Sequence, residues 1–180
     1  MGPSARKRRT DSIAQSSEGK PPDRISVHFS SRTEEWETPQ WLFDYLNQEF
    51  RFTLDPCSTD LNAKCAKHFT KQEDGLRQLW ADEVVFMNPP YGAAIAQWMK
   101  RAHEASVHER ATTVCLVPAR TDTRWWHQYA MRHEIRFLPG RLRFGRSEQS
   151  APFPSAIVVM RPAGFSLCAE ETADFARRRR

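Results

Sequence analysis

The stretch Val84-Val85-Phe86-Met87-Asn88-Pro89-Pro90-Tyr91-Gly92 decides the fold. Four consecutive apolar residues without polar alternation predict a strand buried on both faces, as in a parallel sheet flanked by helices. Two prolines then remove the backbone N–H groups that a ladder needs, so the strand must end and the chain must turn at Asn88. In an open α/β sheet, ligands bind outside the carboxyl ends of the strands, which is where this turn has to lie.

Outward from the turn, Ile95, Trp98, Met99, Ala102 and Ala105 form a helical stripe, and Thr113-Val114-Cys115-Leu116-Val117 predicts a second buried strand ending at Pro118. Residues 123–131 suit a helix. Ile135-Arg136-Phe137-Leu138 reads as a strand reaching the turn Pro139-Gly140, Leu142 and Phe144 alternate with arginines as in an exposed hairpin, and Ala156 to Met160 is the last clear strand. Upstream, Thr38 is expected as an N-cap with Pro39 at the first helical position. Trp41, Leu42, Tyr45, Leu46 and Phe50 then give one apolar helical face. Phe52-Thr53-Leu54 predicts a short buried strand stopping at Asp55-Pro56. Residues 61–69 fit a helix or irregular chain, and Asp74-Gly75-Leu76 with Leu79-Trp80 fits a loop leading to a short turn. Buried strands alternating with helices make the fold class α/β, a sheet with helices on both faces.

The chain of 180 residues has room for one domain with tails. Residues 1–26 are polar and basic and are expected to be a disordered arm, residues 27–163 the folded domain, and residues 164–180 a second basic tail. No apolar run approaches the roughly 18 residues of a membrane span, and no secretory h-region is visible, so a cytoplasmic protein is expected. Net charge is +5, with 27 Lys and Arg against 22 Asp and Glu. The basic residues bunch at Arg6 to Arg9, Arg132 to Arg146 and Arg177 to Arg180, which points to a polyanionic partner or to solvated charge. The four cysteines Cys57, Cys65, Cys115 and Cys168 lack a Cys-x-x-Cys pair, so neither disulfides nor a zinc site are expected. The histidines have no spacing for a triad or a metal. The residues assign no oligomeric state.

The Asn88-Pro89-Pro90-Tyr91 turn suits methylation of an amino group. An exocyclic amine conjugated to an aromatic ring is a poor nucleophile because its lone pair is delocalised. The Asn88 side-chain oxygen and the Pro89 carbonyl can each accept one N–H of such an amine and so turn its lone pair toward an incoming methyl group. Tyr91 offers a ring on which a base can stack. A base inside a duplex cannot reach the turn without being flipped out. Asp55, ending its own strand, can accept from a ligand's ammonium or hydroxyl groups, or simply cap a turn. No Gly-x-Gly or Gly-Lys-Ser/Thr string supports a dinucleotide or nucleoside triphosphate site.

Trp36-Glu37-Thr38-Pro39, Phe52-Thr53-Leu54-Asp55-Pro56-Cys57, Asn62-Ala63-Lys64-Cys65, Asp74-Gly75-Leu76, Asn88 to Gly92, Pro118 to Thr123 with Trp125-Trp126, and Gly140-Arg141-Leu142-Arg143-Phe144 follow one another along about residues 28–162. This ordered series closely resembles the phage-type DNA N6-adenine methyltransferases. The resemblance implies a Rossmann-like fold that binds S-adenosylmethionine and moves its methyl group to adenine N6 in DNA. By similarity, Thr38 and Pro39 border the methionine end of the cofactor, Asp55, Pro56 and Cys57 follow the first strand beside it, and Asp74 lies beside its adenine. Asn88, Pro89, Pro90 and Tyr91 form the catalytic turn. Two departures stand out: Ser58-Thr59-Asp60 replaces the glycine-rich part of the usual cofactor motif, and no separate target-recognition domain of ordinary size is present.

Recognition must then come from short segments. Arg120, Arg136, Arg141, Arg143 and Arg146 are candidates to neutralise phosphates or read guanine edges, and Phe144 to wedge against a flipped base. The alternative is that Phe144 is core and the arginines are a solvated face. Arg120 and Asp122 fit an ion pair as well as a substrate cleft, and one of Trp125 and Trp126 is expected in the core. DNA is the expected partner. RNA adenine, cytosine N4 or a protein glutamine amide would suit the same acceptor turn, and a DNA-binding module without activity is the reading from a different class.

Overall fold

The computed structural model describes Gly2, residues 36–145 and residues 149–162. The expected arm (apart from Gly2) and the expected C-terminal tail lie outside the described residues, as do Arg146 and Cys168. The elements run α1 (Gln40–Phe50), β1 (Leu54–Asp55), β2 (Lys67–His68), β3 (Val84–Met87), α2 (Ile95–His108), β4 (Thr112–Pro118), α3 (Arg124–Gln128), a 3-10 turn (Ala130–Arg132), β5 (Glu134–Phe137) and β6 (Ser155–Met160). One six-stranded sheet has the order β2-β1-β3-β4-β6-β5.

Strands β2, β1, β3 and β4 pair in parallel, and β6 is antiparallel to both β4 and β5. It follows that β5 points the same way as β4, and that all five co-directional strands end on one edge. Successive strand residues face opposite sides of a sheet, yet Val85, Phe86 and Met87 are all buried, so both faces of β3 are covered. The continuous burial of Thr113 to Pro118 and of Ser155 to Met160 extends this along β4 and β6. These features give the mixed α/β, Rossmann-like architecture expected from the alternation of apolar runs.

An isolated helix as short as α1 is marginal in water, so packing has to hold it. It buries Leu42, Phe43 and Leu46, each contributing about 1.5–3 kcal/mol. Phe43 meets Phe86 of β3 edge-on at 5.2 Å between ring centroids. At its other end Arg51 takes the left-handed conformation and Asn47 Oδ1 accepts the Phe52 N–H at 2.8 Å, which turns the chain into β1. The helix begins one residue later than expected. Pro39, extended at ψ 133°, occupies the N-cap position, and Thr38 is buried with its hydroxyl engaged elsewhere.

Of residues 61–69, expected as a helix or irregular chain, residues 61–66 are irregular and Lys67–His68 form the short strand β2, which the sequence pattern does not predict. No separate hairpin forms at 141–144. That segment belongs to the connection between β5 and β6, with Leu142 and Phe144 buried and Arg141 and Arg143 exposed. Both Trp125 and Trp126 are buried, because neighbouring helical residues lie only about 100° apart and the one buried face of α3 takes both, leaving Arg124, His127 and Gln128 exposed. Arg136 is not a surface arginine. Its guanidinium grips Glu49 of α1 at 2.5 and 2.6 Å and Glu134 at 2.5 Å, while Arg161 bonds Glu134 at 2.6 Å. A planar fork satisfied on both sides is an internal tie, unavailable to phosphate.

His103 Nδ1 lies 3.0 Å from His133 Nε2, joining α2 to the chain entering β5. One ring must donate and the other accept, so the accepting ring is neutral when the bond is made. Burial, the His103 ring and Arg132 hold His133 down to about 4 from its ordinary 6.5. The unfolded chain therefore takes up this proton more readily, and the stability due to the pair is present above about pH 6.5 and lost as pH falls toward about 4. Thermal melts across that window should show a declining midpoint in the wild type and a shallower decline in His133→Gln; equal slopes would mean that the pair does not titrate as described.

Candidate active site

β1 and β3 are neighbours in the sheet, but the chain leaves β1 for β2 on one side before returning to β3 on the other. This makes the gap between their carboxyl ends a topological switch point, where two loops diverge and leave a crevice. A cleft of about 590 Å³ opens there. Its size is that of a small-molecule site. Of the residues expected to hold a cofactor, Thr38, Asp55, Pro56, Cys57 and Asp74 line it, and Asn88, Pro89 and Pro90 line it from the β3 side. Pro39 and Tyr91 do not.

Asp55 is only 4% exposed, and its carboxylate accepts the Lys64 N–H at 3.0 Å and the Cys57 N–H at 3.4 Å. Burial pushes its carboxyl group up, while these two amides, the Ser58 hydroxyl and His68 pull it back. It braces the whole loop from 56 to 64, within which Thr59 N–H is received by Asn62 Oδ1 at 2.7 Å. A loop held by a carboxylate and an asparagine thus stands where the usual motif has glycines. Burial pushes the Cys57 thiol up as well, keeping it neutral against the backbone N–H of Asn88.

The close approach that glycine allows is supplied instead by Gly75, a position to which the sequence reading gave no role of its own. A Cβ there would lie 2.0 Å from the Pro56 carbonyl oxygen and 3.2 Å from the Trp98 ring. Its carbonyl accepts the Trp80 indole N–H at 3.0 Å, and Arg101 covers the Trp80 ring at 4.4 Å while bonding Glu109 at 2.9 Å. The loop with Asp74 is thereby pressed onto the loop with Pro56. Asp74 takes a left-handed conformation and pairs with Arg77 at 3.2 Å on the cleft wall.

Across the cleft, Asn88 Nδ2 donates to the Trp36 carbonyl and, at 2.9 Å, to Thr38 Oγ1. A main-chain carbonyl only accepts, so the amide must present its NH2 group to Trp36 and its oxygen the other way. Among the described residues that oxygen is buried without a hydrogen-bond partner. Leaving such an atom unsatisfied costs about 1–3 kcal/mol, a cost that a ligand donor removes.

The Tyr91 ring is not a free platform. It is 5% exposed, stacks on Trp36 at 6.4 Å, meets Phe144 and Phe153 edge-on at 6.1 and 5.5 Å, and donates its hydroxyl to the Leu116 carbonyl at 3.3 Å. Phe144, 4% exposed, is likewise committed to this cluster and offers no wedge to a base. Aromatic faces prefer to be covered by other rings when those are at hand, and Trp36 supplies one. What Phe144 does is hold the β5–β6 connection against the Pro-Pro turn, with Gly145 N–H bonded to the Glu37 carbonyl at 2.8 Å. Arg141 and Arg143 point outward from that anchored loop on the carboxyl edge of the sheet. Arg120 is exposed at the end of β4 and lines a second cavity of about 230 Å³ together with Gly92, Pro118 and Trp125. No ion pair joins Arg120 to Asp122 among the described residues, nor does any group of three or more His, Cys, Asp or Glu suited to a metal occur among them. No helix among them is long and apolar enough to cross a membrane.

A model of the DNA N-6-adenine-methyltransferase (Dam) family matches residues 26–165, which contain the cleft, the Pro-Pro turn and the basic loop. The chain belongs to this family. This Dam family member is 33% identical over 93 residues to the DNA N-6-adenine-methyltransferase of Haemophilus phage HP1 (strain HP1c1), over 51% of its own length and 53% of the phage protein's. It is 34% identical over 65 residues, 32% of its length and 71% of the other's, to YfdM of Escherichia coli (strain K12), whose name assigns it provisionally to the methyltransferases. The matched stretch therefore spans about half the length of the phage relative.

In this Dam family member, Gly75→Ala should force the Asp74 and Pro56 loops apart. An overpacking cost of about 1–3 kcal/mol is expected in urea unfolding, because the atom met is a main-chain oxygen that cannot give way as a flexible side chain would. An unchanged unfolding midpoint would show that the Gly75 contact is not a tight one.

Proposed function

We propose that the chain transfers a methyl group from S-adenosylmethionine to the N6 amine of adenine in DNA. The observation that carries this reading is the fixed carboxamide of Asn88, whose oxygen is unpartnered among the described residues beside a cleft at the sheet's switch point. Asn88 Oδ1 and the Pro89 carbonyl would each receive one N–H of the target amine, holding its lone pair toward the cofactor side. No strong base is required, because the proton can leave after the amine has become cationic. Catalysis of this kind is positioning, and it rewards a turn that two prolines make stiff.

The residues fit the cofactor. Asp55, Pro56 and Cys57 form one wall of the cleft and Thr38 the other, the Asp74 carboxylate is available for a hydroxyl or amino donor, and Trp98 and Phe86 add apolar surface. When bound, S-adenosylmethionine supplies a methyl group on a sulfonium centre. Asp55 acts mainly through the loop it braces, since both its oxygens already hold backbone amides.

Arg141 and Arg143 would lie along the DNA backbone, with Phe144 as the anchor of their loop, and Arg120 would approach from the end of β4. Their common edge with Asn88 supports this, since a flipped adenine has to leave a duplex held at that same edge. Acceptance of RNA adenine, cytosine or a glutamine amide is the outcome that a product analysis would reveal in its place.

Asn88→Ala should lower methyl transfer to a mixed duplex pool about 100-fold or more while DNA affinity, read by fluorescence anisotropy, stays close to wild type. Formation of N6-methyladenine by the wild type, read by nucleoside analysis, is the direct check, and its absence from folded protein would overturn the proposal. Arg143→Ala should weaken DNA binding across sequences and reduce the slope of log affinity against log salt by about one. An unchanged slope would remove Arg143 from the interface.

A further inference from the structure

We propose that Thr38 is a positioning residue for the Asn88 carboxamide, and that the three-residue strap Trp36-Glu37-Thr38 selects an amide, rather than a carboxylate, at the head of the catalytic turn. This rests on the reading that the Asn88 oxygen receives the target amine. The resemblance to the family gives Thr38 only a place beside the cofactor. The hydrogen bonds give it a second task.

A terminal carboxamide has two faces of nearly equal shape, and rotation by half a turn exchanges oxygen for nitrogen. Nothing in the Pro-Pro turn itself distinguishes the two. The distinction comes from fifty residues upstream, where the Trp36 carbonyl and Thr38 Oγ1, 2.9 Å from Nδ2, both accept from the amide nitrogen. The hydroxyl of Thr38 can serve as an acceptor here and still donate its own hydrogen elsewhere, so this role and a cofactor contact are compatible. Thr38 is 4% exposed and β-branched, which restricts its rotamers and holds Oγ1 in place.

The strap is itself held from two sides. The Trp36 indole meets Phe144 and Phe153 at 5.2 Å each, and the Glu37 carbonyl accepts the Gly145 N–H at 2.8 Å. Its carbonyls therefore cannot swing away to suit a different side chain at position 88. A carboxylate at 88 would set an oxygen against the Trp36 carbonyl, acceptor against acceptor, although as a hydrogen-bond acceptor for an amine a carboxylate is the stronger group. The strap thus makes the better acceptor the worse catalyst in this chain.

The test is the single-turnover rate of methylation at saturating cofactor and DNA, with the cofactor dissociation constant measured separately by calorimetry. Thr38→Val should slow the step ~3- to 10-fold, the worth of one neutral hydrogen bond, and Thr38→Ser should restore most of it. Thr38→Ala serves if the valine variant fails to fold. Asn88→Asp should slow the step by about 100-fold or more, the cost of a misplaced reacting group. If Thr38→Val and Thr38→Ala keep the wild-type rate and only weaken cofactor binding, Thr38 serves the cofactor alone and the inference falls; a wild-type rate for Asn88→Asp overturns it equally. Failure of the wild type to form N6-methyladenine on DNA would instead overturn the proposed function, which separates the two.

Discussion

The parallel pairing of β1 with β3 is the constraint on which the rest depends. Parallel neighbours end on the same edge, and a chain that visits β2 between them must send its two loops in opposite directions. Asp55 and Asn88 are brought to adjacent strand ends by that geometry alone. Parallel pairing needs long crossovers, and each crossover here carries part of the site. The one between β1 and β3 brings the Pro56 and Asp74 loops together, and the one between β3 and β4 carries the Pro-Pro turn and α2. β5 points with the parallel strands and antiparallel β6, which follows it, inserts between β4 and β5, so the basic loop leaves β5 on the same edge.

Around that edge the chain meets two opposite demands. The Pro-Pro turn is stiff, and its Tyr91 packs with three further rings, Trp36, Phe144 and Phe153. The basic loop has to present charge to solvent. Alternation of Leu142 and Phe144 with Arg141 and Arg143 satisfies both, because one side of an extended segment is buried in the rings and the other is left exposed. An exposed guanidinium is free to meet phosphate, whereas Arg136, desolvated between Glu49 and Glu134, is spent on holding α1 to β5. The two kinds of arginine cannot be told apart by spacing. Arg136 and Arg143 both sit in alternating apolar and basic sequence, and only the carboxylate brought from α1 separates them.

The same holds for the glycine that the cofactor loop was found to lack. Close approach of backbones is a property of pairs of segments, and Gly75 meets the need from a loop distant from the one where a motif would look for it. The Asp55 carboxylate then replaces the local glycine turns by accepting amides from both ends of its loop. A motif can therefore be incomplete as a string while the loop it would shape is still braced by other contacts.

What the sequence by itself determined is local: apolar runs long enough only for buried strands, helical stripes between them, and a Pro-Pro turn that had to end a strand and offer acceptors. Those follow from periodicity and from the missing N–H of proline, which act within a few residues. What only the tertiary structure decided are the partners: Trp36 and Thr38 orienting Asn88, Trp36 covering Tyr91, Gly75 against Pro56, and Glu49 claiming Arg136. Each joins positions far apart in the chain, and the hydrogen bonds and ring contacts that fix them depend on ångström-scale placement after the sheet has formed. Periodicity carries no record of that placement.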